Sequence, residues 1–295
     1  MRHIWDLIRY GLFYVFTWSI AVLPRPIFYG LSDIVAFVLG VVIRYRRQVV
    51  HTNLERSFPE LPIKERRRIA MRFYKHLSDL ILESFFLLHA SPKRILKRCT
   101  YTNLEVLEPY YSQQRSVVIA AAHIANWEFL TSASAYIAHQ QLNVYKPLHN
   151  KRLGRILTRS RERFGGTAVA MQNVLREIVR CQSAGIPFLI GLISDQTPPP
   201  DKHFWLEFLH QDTMVYSGVE KIARKFDLPV FFCNMHRVKR GYYSVHLDLI
   251  TTQPEAEPEN AITIRYMKLL EEVIHKHPES WLWSHRRWKR QRPQS

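Results

Sequence analysis

His123 and Glu128 stand five residues apart in the stretch Ala121-Ala-His-Ile-Ala-Asn-Trp-Glu-Phe129. An imidazole that titrates near neutral pH can take a proton from a weak nucleophile. A carboxylate beside it fixes the tautomer and stabilises the imidazolium that forms. On one continuous helix the H-x4-E spacing turns ~500°, leaving the two side chains ~140° apart, because each residue rotates about 100°. The pair can therefore meet only if His123 precedes the helix, on a strand-to-helix turn. Asn126 suits an N-cap and would place Glu128 in the first helical turn. The spacing thus predicts a hydrogen bond between His123 and Glu128 across the turn. Each residue also has a plainer reading: a satisfied strand-end histidine, a carboxylate serving the helix dipole, and Trp127 as core.

Such a turn needs a rigid sheet behind it. Ser116–Ala122, Leu142–Tyr145, Pro187–Ile193, Pro229–Met235 and Tyr242–Leu249 read as strands. Helical stretches fall at 126–139, 151–164, 171–183, 214–226 and 259–275, with a long helix over Lys64–Leu88 stopped before Pro92. Apolar strands alternating with helices predict an α/β fold with a mostly parallel central sheet covered by helices. Ligands of open α/β sheets bind outside the carboxyl ends of the strands, the level of His123. Asp195 and Gln196 follow the strand Pro187–Ile193 at that level, although Asp-Gln-Thr-Pro-Pro is also good turn chemistry.

The 295 residues carry 42 Lys plus Arg against 25 Asp plus Glu, a net charge of +17 that calls for an anionic partner. Nucleic acid, an anionic membrane surface and an acidic carrier protein all qualify. An aromatic content of 13% with seven Trp favours the membrane interface, and no nucleic-acid-binding module is visible. Tyr10–Leu23 and Ile34–Ile43 are apolar but shorter than the ~20 residues of a spanning helix. They predict a membrane-associating helical region over 1–47, lying on or dipping into the bilayer, and a catalytic domain over 48–295. A marginal span and a core hairpin are the alternatives. Arg44-Tyr-Arg-Arg47 would meet the headgroups. Cys99, Cys181 and Cys233 are widely spaced, without a CxxC pair, which argues against a zinc ribbon or a disulfide framework. GxSxG, GxGxxG, HExxH and P-loop motifs are absent. Basic side chains gather in two places: Lys151, Arg152, Arg155, Arg159, Arg161 and Arg163 on one helix, and Arg286, Arg287, Lys289 and Arg290 among C-terminal tryptophans. A solvated or headgroup-facing surface accounts for most of the first group.

Ala121–Phe129 resembles the H-x4-D/E motif of the glycerolipid and lipid A acyltransferase superfamily. Val144-Tyr-Lys-Pro-Leu-His-Asn150, Ser194-Asp-Gln-Thr-Pro-Pro199 and Pro278-Glu-Ser-Trp-Leu-Trp-Ser-His-Arg-Arg-Trp-Lys-Arg290 are similar, in order, to segments of the late lipid A lauroyl/myristoyl acyltransferases. The resemblance implies a glycerolipid-acyltransferase-like fold at the cytoplasmic face of a bacterial inner membrane. It implies transfer of an acyl chain from a thioester, carried by acyl-carrier protein, to a hydroxyl of a lipid A precursor, with no cofactor, metal or nucleic acid. His123 would be the general base, Glu128 its orienting group and Arg161 the cation for the oxyanion, with Arg159 as substitute. Asn126, Lys146, Asn150, Asp195, Gln196, Arg286 and Arg287 would contact substrate. The family's Phe-Phe-Gly segment has no counterpart in Trp205-Leu-Glu-Phe-Leu-His210, which leaves room for another acceptor: a lysophospholipid, an amino-acid lipid or a glycolipid. A basic membrane-binding protein without chemistry is the reading from a different class.

Overall fold

A computed structural model describes residues 2–148, 150–199 and 204–292, without the side chains of 2–9 and 151–153. Four helices come first: α1 (Arg2–Ala21), α2 (Arg25–Phe37), α3 (Arg47–Ser57) and α4 (Ile63–His89). α5 (Pro92–Leu96) starts at a proline, whose fixed φ and missing N–H suit a first helical turn. The rest alternates: β1 (Cys99–Tyr101), α6 (Glu108–Ser112), β2 (Val117–Ala121), β3 (Gln140–Tyr145), α7 (Lys151–Glu162), β4 (Thr167–Ala170), α8 (Val174–Ser183), β5 (Phe188–Ile193), β6 (Phe204–Phe208), β7 (Gln211–Val215), α9 (Gly218–Phe226), β8 (Val230–Lys239), β9 (Tyr242–Thr251) and α10 (Ala261–Lys276).

Seven strands form one sheet in the order β1-β9-β8-β2-β5-β3-β4, in which only the β8–β9 hairpin is antiparallel. The predicted α/β architecture is thus present. β2 is central and buried at all five positions, which explains its unbroken apolar run. The chain places β3, β4 and β5 to one side of β2 and β8 and β9 to the other, so the crevice lies beyond the carboxyl end of β2.

Two local expectations are corrected, and one strand is added. The stretch 126–139 is not an α-helix: a 3-10 run covers Trp127–Ala135. The hydroxyls of Thr131, Ser132 and Ser134 each donate to the carbonyl three residues back, which competes with α-helical bonding. The helix expected from Met214 starts at Gly218, because 214–215 belong to a β6–β7 hairpin. Its two-residue turn, Leu209-His210, has both φ positive (50° and 59°), so the usual Asn-Gly signal was missing from the sequence. β4 is a further strand that the sequence did not announce.

α1 and α2 pack on α4. Phe13 and Phe16 meet the Phe85 ring, and Thr17 Oγ1 lies 2.8 Å from His89 Nε2. α2 continues into a π-helical turn, Val38–Val42, where Gly40 lies against the Tyr74 ring; a Cβ there would sit 3.0 Å from that ring. The outer faces expose Leu12, Val15, Trp18, Ile27, Ile34 and Phe37. By length and composition Arg25–Val42 is long and apolar enough to cross a membrane. Its Asp33, however, pairs with Arg240 of the β8–β9 turn at 2.9 Å, which ties this helix to the seven-stranded sheet.

Candidate active site

Ala121 of β2 and Ile193 of β5 are register partners on adjacent parallel strands. Two residues further along each chain come His123 and Asp195, and the same offset past the same register brings them together. His123 Nδ1 lies 2.7 Å from Asp195 Oδ1. Asp195 is fully buried, and its other oxygen accepts the Trp281 indole N–H at 2.8 Å. On the open side of the imidazole, the Gln196 amide nitrogen is 3.3 Å from His123 Nε2. The carboxylate at Nδ1 and the amide donor at Nε2 select the tautomer with the proton on Nδ1 and the lone pair on Nε2. Burial alone would lower the His123 pKa. The charge and hydrogen bond of Asp195 outweigh it, Glu128 adds to them, and the pKa stands above its ordinary 6.5. Burial likewise pushes Asp195 up, but His123 and the Trp281 bond win and hold it below the ordinary carboxylate value.

Glu128 is not hydrogen-bonded to His123, which corrects the expected dyad. Its carboxylate meets Arg161 at 3.3 Å and 3.5 Å, and the Arg161 guanidinium also lies over the Tyr145 ring. Asn126 does not cap the following helix; it is fully buried and its amide donates to Glu83 of α4 at 2.7 Å. The turn between His123 and Glu128 is sharper than an N-cap, with Ala125 in the left-handed region at φ 50°.

The C-terminal segment closes the site from below. Ile124 and Trp281 form an antiparallel bridge, Leu282 N–H donates to the His123 carbonyl at 3.2 Å, and Ala125 N–H donates to the Ser280 carbonyl at 3.0 Å. Thr197 Oγ donates to the Arg287 carbonyl at 2.6 Å. Arg287 is itself buried, so it cannot contact lipid phosphate as expected; it donates to the Met214 carbonyl at 2.7 Å. Burial lowers its pKa to about 10, which leaves it charged near neutral pH, and Asp195 lies within reach of its field. His285 is held neutral by burial, with a pKa near 4. A cavity of about 500 Å³ opens beside this group, lined by Leu77, Ile81 and Leu282 together with Gln196, Arg46 and His285.

Lys146, Asn150, Arg155, Arg159 and Arg286 are exposed. Arg163 donates to the carbonyls of Leu87, Leu88 and Ala90, closing the C-terminus of α4. The side chains of Lys151 and Arg152 lie outside the described residues, as does His149. Trp281, Glu83 and His76 escaped the sequence reading. The only signal for Trp281 was its place in a motif with no evident chemistry. Glu83 was hidden in a helical pattern whose apolar face drew the eye.

The model of the bacterial lipid A biosynthesis acyltransferase family matches residues 3–290. The chain belongs to this family. It is an acyltransferase. The lipid A biosynthesis palmitoleoyltransferase of Escherichia coli strain K12 is 24% identical over 282 residues, covering 95% of this chain and 90% of that one. The lauroyltransferase of the same organism is 23% identical over 278 residues, covering 92% and 88%. A lipid A biosynthesis acyltransferase of Haemophilus influenzae is 20% identical over 280 residues, covering 92% and 84%.

Proposed function

We propose that this acyltransferase moves a fatty acyl chain from a carrier-protein thioester to a hydroxyl of a lipid A precursor, at the inner face of the bacterial cell membrane. The observation that carries the reading is the His123–Asp195 pair, whose Nε2 neighbour Gln196 also lines the apolar cavity. The acceptor hydroxyl displaces the Gln196 amide from Nε2 and gives its proton to His123 as its oxygen attacks the thioester carbonyl. Asp195 stabilises the imidazolium. The tetrahedral oxyanion collapses, the C–S bond breaks, and His123 returns the proton to the departing thiolate. Arg161 and the displaced Gln196 amide are the donors for the oxyanion, and such a group contributes about 10²–10³ in rate. Glu128 serves here by holding Arg161.

The apolar cavity takes the acyl chain. The exposed apolar residues of α1 and α2 seat the enzyme on the bilayer, and the Arg44–Arg47 turn meets anionic headgroups. The hairpin that replaces the family's Phe-Phe-Gly segment favours a second reading, the same chemistry on another acceptor lipid.

The test supplies membranes containing wild-type or His123→Ala protein with labelled acyl-carrier-protein thioester and a lipid A precursor, and reads product mass. A gain of one acyl chain that is absent in His123→Ala supports the reading. Thioester consumption only with total lipid extract moves the acceptor to another lipid. Full activity in His123→Ala refutes the mechanism.

A further inference from the structure

We infer that Glu83, in the middle of α4, is a positioning residue for the reaction, acting through Asn126 on the turn that carries His123. The inference rests on the role of His123 proposed above. Glu83 is completely buried, yet among the described residues it has no cationic hydrogen-bond partner. It accepts three instead. Tyr29 of α2 donates to Oε1 at 2.9 Å, while Asn126 and Tyr243 of β9 donate to Oε2 at 2.7 Å and 2.6 Å. Burial raises its pKa above the ordinary carboxylate value, and the three donors oppose that rise. A buried carboxylate without a cation is costly against an apolar side chain of the same size, because burial penalises the charge. A fold that only needed α4 packed would have used a leucine or methionine.

The bond to Asn126 supplies the reason. The chain leaves β2 at Ala121 and must present His123 toward β5 and then reverse within a few residues. It does so by placing Ala125 in the left-handed region, a strained conformation for a residue with a Cβ. Strain of that kind persists only where its surroundings over-determine it. Three fasteners flank Ala125: the Ser280 carbonyl on its N–H, His76 Nε2 at 3.0 Å from its carbonyl, and Glu83 on the next side chain. Two of the three come from α4, about two helical turns apart. His76 is fully buried with a pKa near 4, so it is neutral and donates from Nε2. Through Tyr29 the same carboxylate reaches α2, so the helix proposed to rest on the bilayer, the sheet and the catalytic turn share one anchor.

The position of Asn126, rather than the charge of Glu83, is what reaches His123; Asp195, not Glu83, supplies the field on the imidazole. Glu83→Gln can keep its oxygen toward Asn126 while a Tyr hydroxyl rotates to accept from the amide. Glu83→Met keeps the volume and removes every acceptor. In the transfer assay with full-length membrane-bound enzyme, Glu83→Met is expected to lose tenfold or more in kcat with KM for the thioester unchanged, and Glu83→Gln to stay within threefold of wild type. The acid limb of the pH–rate profile stays where it is in both. Asn126→Ala loses a similar factor, and the Glu83→Met/Asn126→Ala double variant is no worse than the poorer single one. Ser32→Ala, which removes a buried hydroxyl bonded to Asp79 on the same helix, lowers Tm without lowering kcat. The inference is overturned if Glu83→Gln is as poor as Glu83→Met, if the two losses multiply in the double variant, or if kcat follows Tm through the whole set, Ser32→Ala included. An active His123→Ala enzyme overturns the proposed mechanism and this inference together, whereas an inactive one with normal Glu83→Met activity overturns the inference alone.

Discussion

Two carboxylates, Asp195 and Glu128, flank the turn that carries His123, and their pairings are built differently. At the carboxyl ends of β2 and β5, Asp195 is 1% exposed and its two oxygens are used at 2.7 Å and 2.8 Å. On the other side, Glu128 is 32% exposed and meets Arg161 at 3.3 Å. The first pair hangs from adjacent central strands and a C-terminal segment hydrogen-bonded to both. The second joins a 3-10 turn to the amphipathic helix α7. In a low-dielectric, fully bonded setting a carboxylate can hold an imidazole in one tautomer and perturb its pKa. A part-exposed pair is screened by solvent and is suited to moving with substrate. The difference teaches that nearness along the chain misassigned the partner: Glu128 is five residues from His123, Asp195 seventy-two, and the sheet brought the distant one closer.

Substitutions at the two pairs test that contrast, and the largest effect belongs to the buried one. His123→Ala should reduce transfer by about 10²–10⁴, the contribution of a positioned general base. Asp195→Asn, which keeps the shape and removes the charge, should cost a comparable factor of up to about 10⁴. It should also shift the pH profile. The base works when neutral, so activity rises with pH through the His123 pKa, which Asp195 holds above 6.5. Removing that charge lowers the pKa and moves the acid limb to lower pH. If Glu128→Gln moves the limb and Asp195→Asn leaves it in place, the assignment of the two carboxylates is reversed. The same raised pKa has the opposite sign for stability: its contribution is full below the unfolded pKa of about 6.5 and fades as pH climbs through the folded value.

Arg161→Lys and Glu128→Gln are expected to lower kcat by about 10–10², less than a full oxyanion donor because Gln196 shares the task. The double variant should fall little further, as one interaction is removed twice. A smaller change is predicted for Trp281→Phe. It leaves Asp195 Oδ2 buried without its donor, which costs about 1–3 kcal/mol and should appear as a lowered Tm in a thermal melt. Smallest for the chemistry itself, Trp18→Asp with Phe37→Asp should release protein from anionic vesicles in a flotation assay while thioester consumption in detergent stays near wild type. Retained flotation would remove α1 and α2 from the membrane contact.

How much was legible follows from which signals are local. The apolar runs of β2, β5 and β8, the long amphipathic α4 and the basic α7 were all readable, because burial on both faces or on one stripe writes itself into consecutive residues. The β6–β7 hairpin was not, since Leu209 and His210 adopt positive φ without glycine, held by a buried leucine whose N–H meets Glu271 at 2.6 Å. The 3-10 run after Asn126 was missed for a related reason, its hydroxyls turning back on their own carbonyls. His123, Asp195 and Gln196 were each singled out as chemistry at one strand-end level, but Glu83 was not, because a carboxylate inside an otherwise apolar helical face looks like any other residue on it.

The sequence by itself determined the α/β alternation, the basic and aromatic character, the family, and the histidine at the end of a buried strand. These depend on composition, periodicity and short motifs, which neighbouring residues carry alone. Only the tertiary structure decided that β2 lies beside β5, that Asp195 therefore takes Nδ1 of His123, that Glu128 goes to Arg161, and that Arg287 is buried under the site. Strand order and side-chain pairing are set by which surfaces bury best against each other across the whole chain, and no local pattern encodes that choice.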